Sequence, residues 1–312
     1  MNQIFKFFLT IVYFSLLSFK VAAGDVWLKN IPTKQLKELY NQIGYDGVKG
    51  YLMLDTHQYP RIFLKNFPKD FSSITDENER NILFIKIVAP LALKLNEDLM
   101  NERKTILNIK ERLDKNNTLS KSDIDTLETT AKKYDLFTRL KGSDRYNHQI
   151  AELLNRVDRI PPSIIITAAA IETNWGASRI VKEGNSLYKI LEWHTDKGLK
   201  PIGENEDDSY RIKTYPDIYS SIQDYALKIN SHRSFALLRN FRREIRELNN
   251  NLSGSMIAPY VYGSSNLKNY AGLFDYTLSY YEFLEIDKST LTDKITNNDI
   301  IKKFKRYITK CN

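Results

Sequence analysis

Residues 161–191, PPSIIITAAAIETNWGASRIVKEGNSLYKIL, constrain this chain more than any other stretch. Asp158 precedes two prolines, which predicts a cap and a first turn that needs no amide donors. SIIITAAAIETNW then runs without a breaker to Gly176. A helix ending at a glycine C-cap is expected. Helical spacing places Ile165, Ala168, Ala169 and Trp175 on the side of Glu172. A lone glutamate in the last turn of an apolar helix is ordinarily ion-paired or reaches for solvent at a domain edge. Glu172, however, falls within the apolar period, where a carboxyl loses hydration. That disfavours its charged form and raises its pKa toward the range of a general acid.

A second motif follows, Gly184-Asn185-Ser186-Leu187-Tyr188. The pattern A-A-I-E-T-N-W-G and then G-N-S-L-Y-K-I resembles the glucosaminidase domain of glycoside hydrolase family 73. Within that family it is similar to the bacterial Bax-type branch, with FlgJ-type flagellar hydrolases as more distant relatives. The lead-in LLNRVDRIPPS is similar to the same branch. Lytic transglycosylases share the I-E-x-x-W/F element but typically continue into a G-L-M-Q-like segment, and this chain has none.

The resemblance implies a mainly α (α+β, lysozyme-like) fold in which a helical catalytic domain carries a small β-hairpin lobe. It implies cleavage of the β-1,4 bond after N-acetylglucosamine in peptidoglycan glycan strands, with Glu172 as proton donor and no cofactor. Trp175, Asn185 and Tyr188 would shape the sugar site. The family pattern G-N-x-[LF]-[FY]-G ends in glycine, whereas Lys189 stands there in this chain.

A second chemical group is also needed. Residues 209–215 alternate as a strand does and would pair with residues 188–193, leaving Glu204, Glu206, Asp207 and Asp208 in the connecting loop. Counting back from Tyr215, Glu204 falls nearest the second carboxylate of the FlgJ-type relatives. A run of four acids on a loop tip is also what a solvated loop looks like. The other route uses the substrate's 2-acetamido group as nucleophile, assisted by an orienting hydroxyl. The segment 271–277 resembles the Bax-type G-L-x-x-Y-S element and would place Tyr276 in the cleft, with Tyr270 as the alternative. Tyr225, in YPDIYSSIQDY, reads as core, as does the run 280–284. Two other outcomes stay open, a lytic transglycosylase and a non-catalytic wall-binding protein.

The rest of the 312 residues is organised around this centre. Residues 1–23 carry Lys6, a short apolar run and Val21-Ala22-Ala23, the form of a secretory signal peptide, with an uncleaved membrane anchor as the alternative. A periplasmic or secreted protein is expected. Residues 24–155 form an N-terminal, mostly helical region. Within it, residues 25–72 mix short apolar runs with breakers, and a long helical period starts after Asp76 with a kink expected at Pro90. Ser120 and Asp123 predict a capping box for a helix to about residue 136. Residues 156–287 make the glucosaminidase domain, and 288–312 a peripheral tail.

One cysteine, Cys311, excludes an internal disulfide framework, and four scattered histidines show no metal-ligand spacing, so no metal is expected. The formal charge of +8 becomes +6 once Lys6 and Lys20 leave with the signal peptide. That balance suits anionic cell-envelope partners in peripheral association, and export argues against nucleic acid. A monomer is expected.

Overall fold

The computed structural model describes residues 24–45, 51–53, 55–116, 118–202, 210–265, 267–292 and 298–309. The signal-peptide segment, Cys311 and the acidic group Glu204, Glu206, Asp207 and Asp208 lie outside the described residues. The chain opens with strand β1 (Val26–Leu28), helix α1 (Thr33–Gln42) and strands β2 (Gln58–Tyr59) and β3 (Ile62–Leu64). Helices α2 (Glu77–Asn116), α3 (Lys121–Lys133), α4 (Gly142–Arg156), α5 (Pro162–Thr173) and α6 (Arg179–Gly184) follow. The hairpin strands β4 (Leu191–Trp193) and β5 (Tyr210–Ile212) lead to α7 (Ile218–Ser231), α8 (Ala236–Glu247), α9 (Gly254–Val261) and α10 (Tyr270–Tyr280). The chain closes with β6 (Thr290–Leu291), α11 (Asn298–Lys303) and β7 (Ile308–Thr309). This is a mainly α, lysozyme-like architecture with a small β lobe.

Two hydrophobic cores organise the packing. The larger joins Trp27, Phe63 and Phe84 from the N-terminal part to the whole of α5, to α7 and to Phe304 near the C-terminus. The smaller is built from Ile106, Ile109 and Leu113 of α2 with Leu127 of α3 and Leu153 of α4. α2 is 40 residues long, continuous through Pro90, and links the two. The packing therefore separates the far end of α2 with α3 and α4, rather than dividing the chain at residue 156.

The C-terminal segment, expected as a peripheral tail, is tied to the N-terminal strands. β1 pairs in parallel with β3 and antiparallel with β7, with Leu28 opposite both Leu64 and Ile308. β2 pairs with β6. Arg61 strengthens this junction: its guanidinium donates to both Glu97 oxygens at 2.9 and 2.6 Å, to Asp25 at 3.1 Å and to the Thr292 carbonyl at 3.1 Å. Single strands this short are not stable alone, and burial of Phe63, Leu64 and Leu291 against the larger core holds them.

α5 lies at the centre of that core. From Pro162 to Ala170 every side chain is buried, so the helix is apolar on all sides rather than along one stripe, as a central helix must be. It packs against α2, α9, α10 and the 3-10 turn Phe283–Lys288. Its N-terminus is not capped by Asp158. That carboxylate instead pairs with Arg242 at 3.5 Å and with Arg246. Arg242 also donates to the Asn230 side chain at 2.8 Å and to the carbonyls of Arg156 and Arg159 at 3.0 and 3.1 Å. Arg103 donates to the carbonyls of Leu154 and Val157. The RVDRIPP lead-in is thus clamped by buried arginines that satisfy carbonyls no helix accepts.

The cap comes from far along the chain. Asp287 accepts from the Ser163 amide at 2.9 Å, from the Ser163 hydroxyl at 2.9 Å and from the Gly254 amide at 2.7 Å, joining the first turns of α5 and α9. A Cβ at Gly254 would stand 2.0 Å from the Ser163 hydroxyl oxygen, so this junction admits no side chain there.

Candidate functional site

α5 stops at Thr173, before the expected glycine. Asn174 takes the left-handed conformation as C-cap (φ 48°), and Trp175 (φ 55°) and Gly176 (φ 77°) continue it. The Trp175 amide closes on the Ala170 carbonyl at 2.8 Å, a Schellman-type bond. The Thr173 hydroxyl donates to the Ala169 carbonyl at 2.6 Å and accepts from the Gly176 amide at 2.9 Å. A bulky residue at positive φ is strained by about 1–2 kcal/mol. The Trp175 indole offsets this by packing 4.5 Å from the Tyr281 ring and edge-on to Phe84 at 5.8 Å. Trp175 therefore sits past the helix end, in an aromatic cluster, and not on a stripe with Glu172.

Glu172 occupies the last turn of α5 at 9% exposure. Burial raises its pKa, and three neighbours oppose that rise: the Ser265 hydroxyl, which hydrogen-bonds to it, and the Lys189 and Lys228 ammoniums. The Lys189 Nζ lies 4.0 Å from Glu172 Oε2. The carboxyl is thus both desolvated and surrounded by donors, able to hold a proton and to be stabilised after giving it up. Among the described residues, the charged groups acting on it are the Lys189 and Lys228 ammoniums.

The second motif builds the wall beside it. α6 ends with Asn185 in the left-handed region (φ 49°), whose side-chain amide donates to the Tyr215 carbonyl at 3.0 Å. The Tyr215 amide in turn donates to the Gly184 carbonyl at 2.9 Å. A Cβ on Gly184 would meet Thr214 at 2.9 Å and Leu199 at 3.0 Å, so glycine lets the helix end approach the hairpin. The Leu187 amide donates to the buried Ser221 hydroxyl at 2.9 Å. Tyr188 is buried, stacked on Tyr225 with centroids 4.0 Å apart and planes at 4°, and its hydroxyl donates to the Ile165 carbonyl at 3.3 Å. The G-N-S-L-Y segment thereby fixes the hairpin to α5 and α7, and places Lys189 (φ 45°) over Glu172.

The hairpin pairs as its alternation predicts, with Leu191 opposite Ile212 and Trp193 opposite Tyr210. Trp193 is 60% exposed, its ring 4.9 Å from that of Tyr210. Tyr270, at the start of α10, is buried against Phe274. Tyr276 is exposed on the same helix, its ring 5.4 Å from that of Tyr280, which is exposed as well and so not part of the core. Glu172, Lys189, Lys228 and Ser265 are thus brought together, with Asn185 and Tyr188 in the adjoining wall. Tyr276 faces solvent on α10.

Two of the residues around Glu172 have no motif to announce them. Lys228 lies one helical turn beyond Tyr225 on α7, and Ser265 lies in the irregular segment before α10. Lys189 is marked in the sequence only by its departure from the family glycine.

The family model for glucosaminidases, described as mannosyl-glycoprotein endo-beta-N-acetylglucosaminidase, matches residues 147–310. Protein bax of Escherichia coli (strain K12) is 27% identical over 117 residues, covering 36% of this chain and 39% of that protein. The chain thus spans about two fifths of the length of the curated relative it matches. No solved structure matches it significantly.

Proposed function

Because the chain belongs to the glucosaminidase family, we propose that it is an exported peptidoglycan hydrolase, an endo-β-N-acetylglucosaminidase of the family 73 type that cleaves the β-1,4 bond after N-acetylglucosamine. The single observation that supports this most is Glu172, a buried carboxyl with a raised pKa at the end of the central helix, whose neighbours are hydrogen-bond donors and cations. Such a group protonates the glycosidic oxygen of the leaving sugar. Ser265 orients the carboxyl, and Lys189 with Lys228 stabilises the carboxylate left behind.

The second role falls to an acid of the 204–208 cluster, Glu204 first, or to the substrate's own acetamido group with a tyrosine hydroxyl, Tyr276 or Tyr270, orienting it. Exposed rings at Trp193 and Tyr276 offer flat apolar faces to pyranose C–H surfaces. The residues 1–23 act as the signal that delivers the chain to the wall.

One observation favours a second reading. The ammonium of Lys189 beside Glu172 suits a carboxylate that never takes up a proton, as in a wall-binding protein without activity. Digestion of purified sacculi by the wild type and Glu172→Gln, with released fragments reduced and weighed by mass spectrometry, separates the readings. Reducing N-acetylglucosamine ends that vanish in the variant are expected. Anhydro-muramyl ends would indicate a lytic transglycosylase, and undigested sacculi bound equally by both proteins would indicate the binding protein.

A further inference from the structure

Behind the α5–α6 turn lies a cavity of about 220 Å³ that shares Asn185 with the wall beside Glu172 but is lined by none of Glu172, Lys189, Lys228 and Ser265. Its floor is aromatic: Phe67 and Phe71, both buried, meet edge to face at 4.8 Å, and Gly176 closes it where a Cβ would stand 3.0 Å from Phe67. Its rim carries Lys29, Lys69 and Lys182. All three are exposed, and no carboxylate lines the cavity among the described residues. None of the three forms an ion pair with a carboxylate among the described residues.

The cavity is composite. Lys29, Phe67, Lys69 and Phe71 precede the matched region 147–310, whereas Gly176 and Lys182 belong to it. Gly176 is four residues from Glu172, so their Cα atoms are at most about 14 Å apart along the chain. A polymer cleaved at Glu172 and carrying flexible anionic branches reaches this distance.

We propose that this cavity is a subsite for the carboxylate-bearing peptide stems of peptidoglycan, with the three ammoniums taking the carboxylates and the phenylalanine floor taking the aliphatic peptide body. This rests on the reading of the chain as a peptidoglycan hydrolase. It gives the region preceding residue 147 a role in substrate choice, since that region supplies two of the pocket's three lysines and the glucosaminidase region only Lys182.

The test compares the full chain with a Lys29→Gln, Lys69→Gln, Lys182→Gln variant, whose changes lie on the exposed rim. Cleavage is followed on glycan strands bearing stems and on strands stripped of stems by an amidase. The wild type is expected to show a KM about tenfold lower on stem-bearing strands, and the variant to lose that preference while kcat and its KM on bare strands stay unchanged. A wild type without the preference, or a variant that keeps it, overturns the proposal.

A cleavage-independent arm titrates a free stem tripeptide into both proteins, with inorganic phosphate as competitor. Binding weakened about tenfold in the variant and resistant to equimolar phosphate supports the subsite. Equal binding to both proteins, or displacement by equimolar phosphate, overturns it. If neither strand is cleaved, the hydrolase reading fails, and this titration still decides what the cavity binds.

Discussion

The Lys189 ammonium stands 4.0 Å from Glu172 Oε2, placed there by a lysine in the left-handed conformation at φ 45°. The position is the one at which the resembling family carries glycine, so the charge is gained at a backbone cost of about 1–2 kcal/mol. Lys189 is 43% exposed, and a pair this open to water is worth at most about 1 kcal/mol.

In the role proposed for Glu172 as general acid, the pair has a signed effect on activity. A general acid works only while protonated, so activity falls as pH rises through the Glu172 pKa. Burial raises that pKa and Lys189 lowers it. Lys189→Met therefore moves the alkaline limb of kcat/KM to higher pH, and Lys189→Gly does the same. Only the glycine variant also relieves the backbone, and it gains about 1 kcal/mol in urea unfolding. An alkaline limb unchanged in both variants would remove Lys189 from the electrostatics of the site.

Asp287 gives a second pH signature, this time in stability. Burial pushes its carboxyl up to about 6, against the lowering effect of the Ser163 and Gly254 amides. The native state then holds a proton that the unfolded chain has already released, so between about pH 4 and pH 6 stability falls as pH rises. Above that window the loss from this group is complete, of order 1–3 kcal/mol. Asp287→Asn keeps the shape but offers one acceptor oxygen to three donors, costing about 1–3 kcal/mol. The gap between wild type and variant is expected to be widest near pH 4 and to narrow by pH 7, as read by thermal unfolding across pH.

The buried pair Arg242–Asp158 holds the entry to α5. Arg242→Met strands a carboxylate that is 4% exposed and leaves several carbonyls without a donor. Removing one partner of such a pair costs about 3–5 kcal/mol. The double variant Arg242→Met, Asp158→Asn is expected to recover part of that loss, measured as a positive coupling in a double-mutant cycle. Additive losses would mean that Arg246 alone neutralises Asp158.

Local signals were the ones legible in the sequence. The period that predicts a long helix after Asp76 corresponds to α2, and the Ser120–Asp123 pair is the capping box expected, with the Asp123 amide donating to the Ser120 hydroxyl at 3.1 Å. The alternation of residues 209–215 corresponds to β5. What the sequence hides is long-range. Asp158 reads as a cap because it precedes two prolines, yet a buried arginine on α8 claims it, and the cap arrives from Asp287. α1 and α9 are short helices among breakers, made by packing rather than by strong local preference. Around Glu172, Ser265 comes from an irregular segment and Lys228 from a helix whose apolar period says nothing of what its polar residues meet, since proximity in space leaves no spacing to read.

The C-terminal segment offers the last test, because a chain end rich in Lys, Asn and Thr looks dispensable and is not packed that way. Phe304 is 4% exposed in the larger core, and Ile308 and Thr309 complete the sheet against Leu28 and Trp27. β1 would otherwise present an unpaired edge next to the core, which costs both its hydrogen bonds and the cover over Leu28. Phe304→Ala is expected to lose about 3–5 kcal/mol in urea unfolding. Truncation after residue 297 should lose at least as much and also raise protease sensitivity near Trp27. Full stability in the truncated chain would show that the larger core closes without this segment.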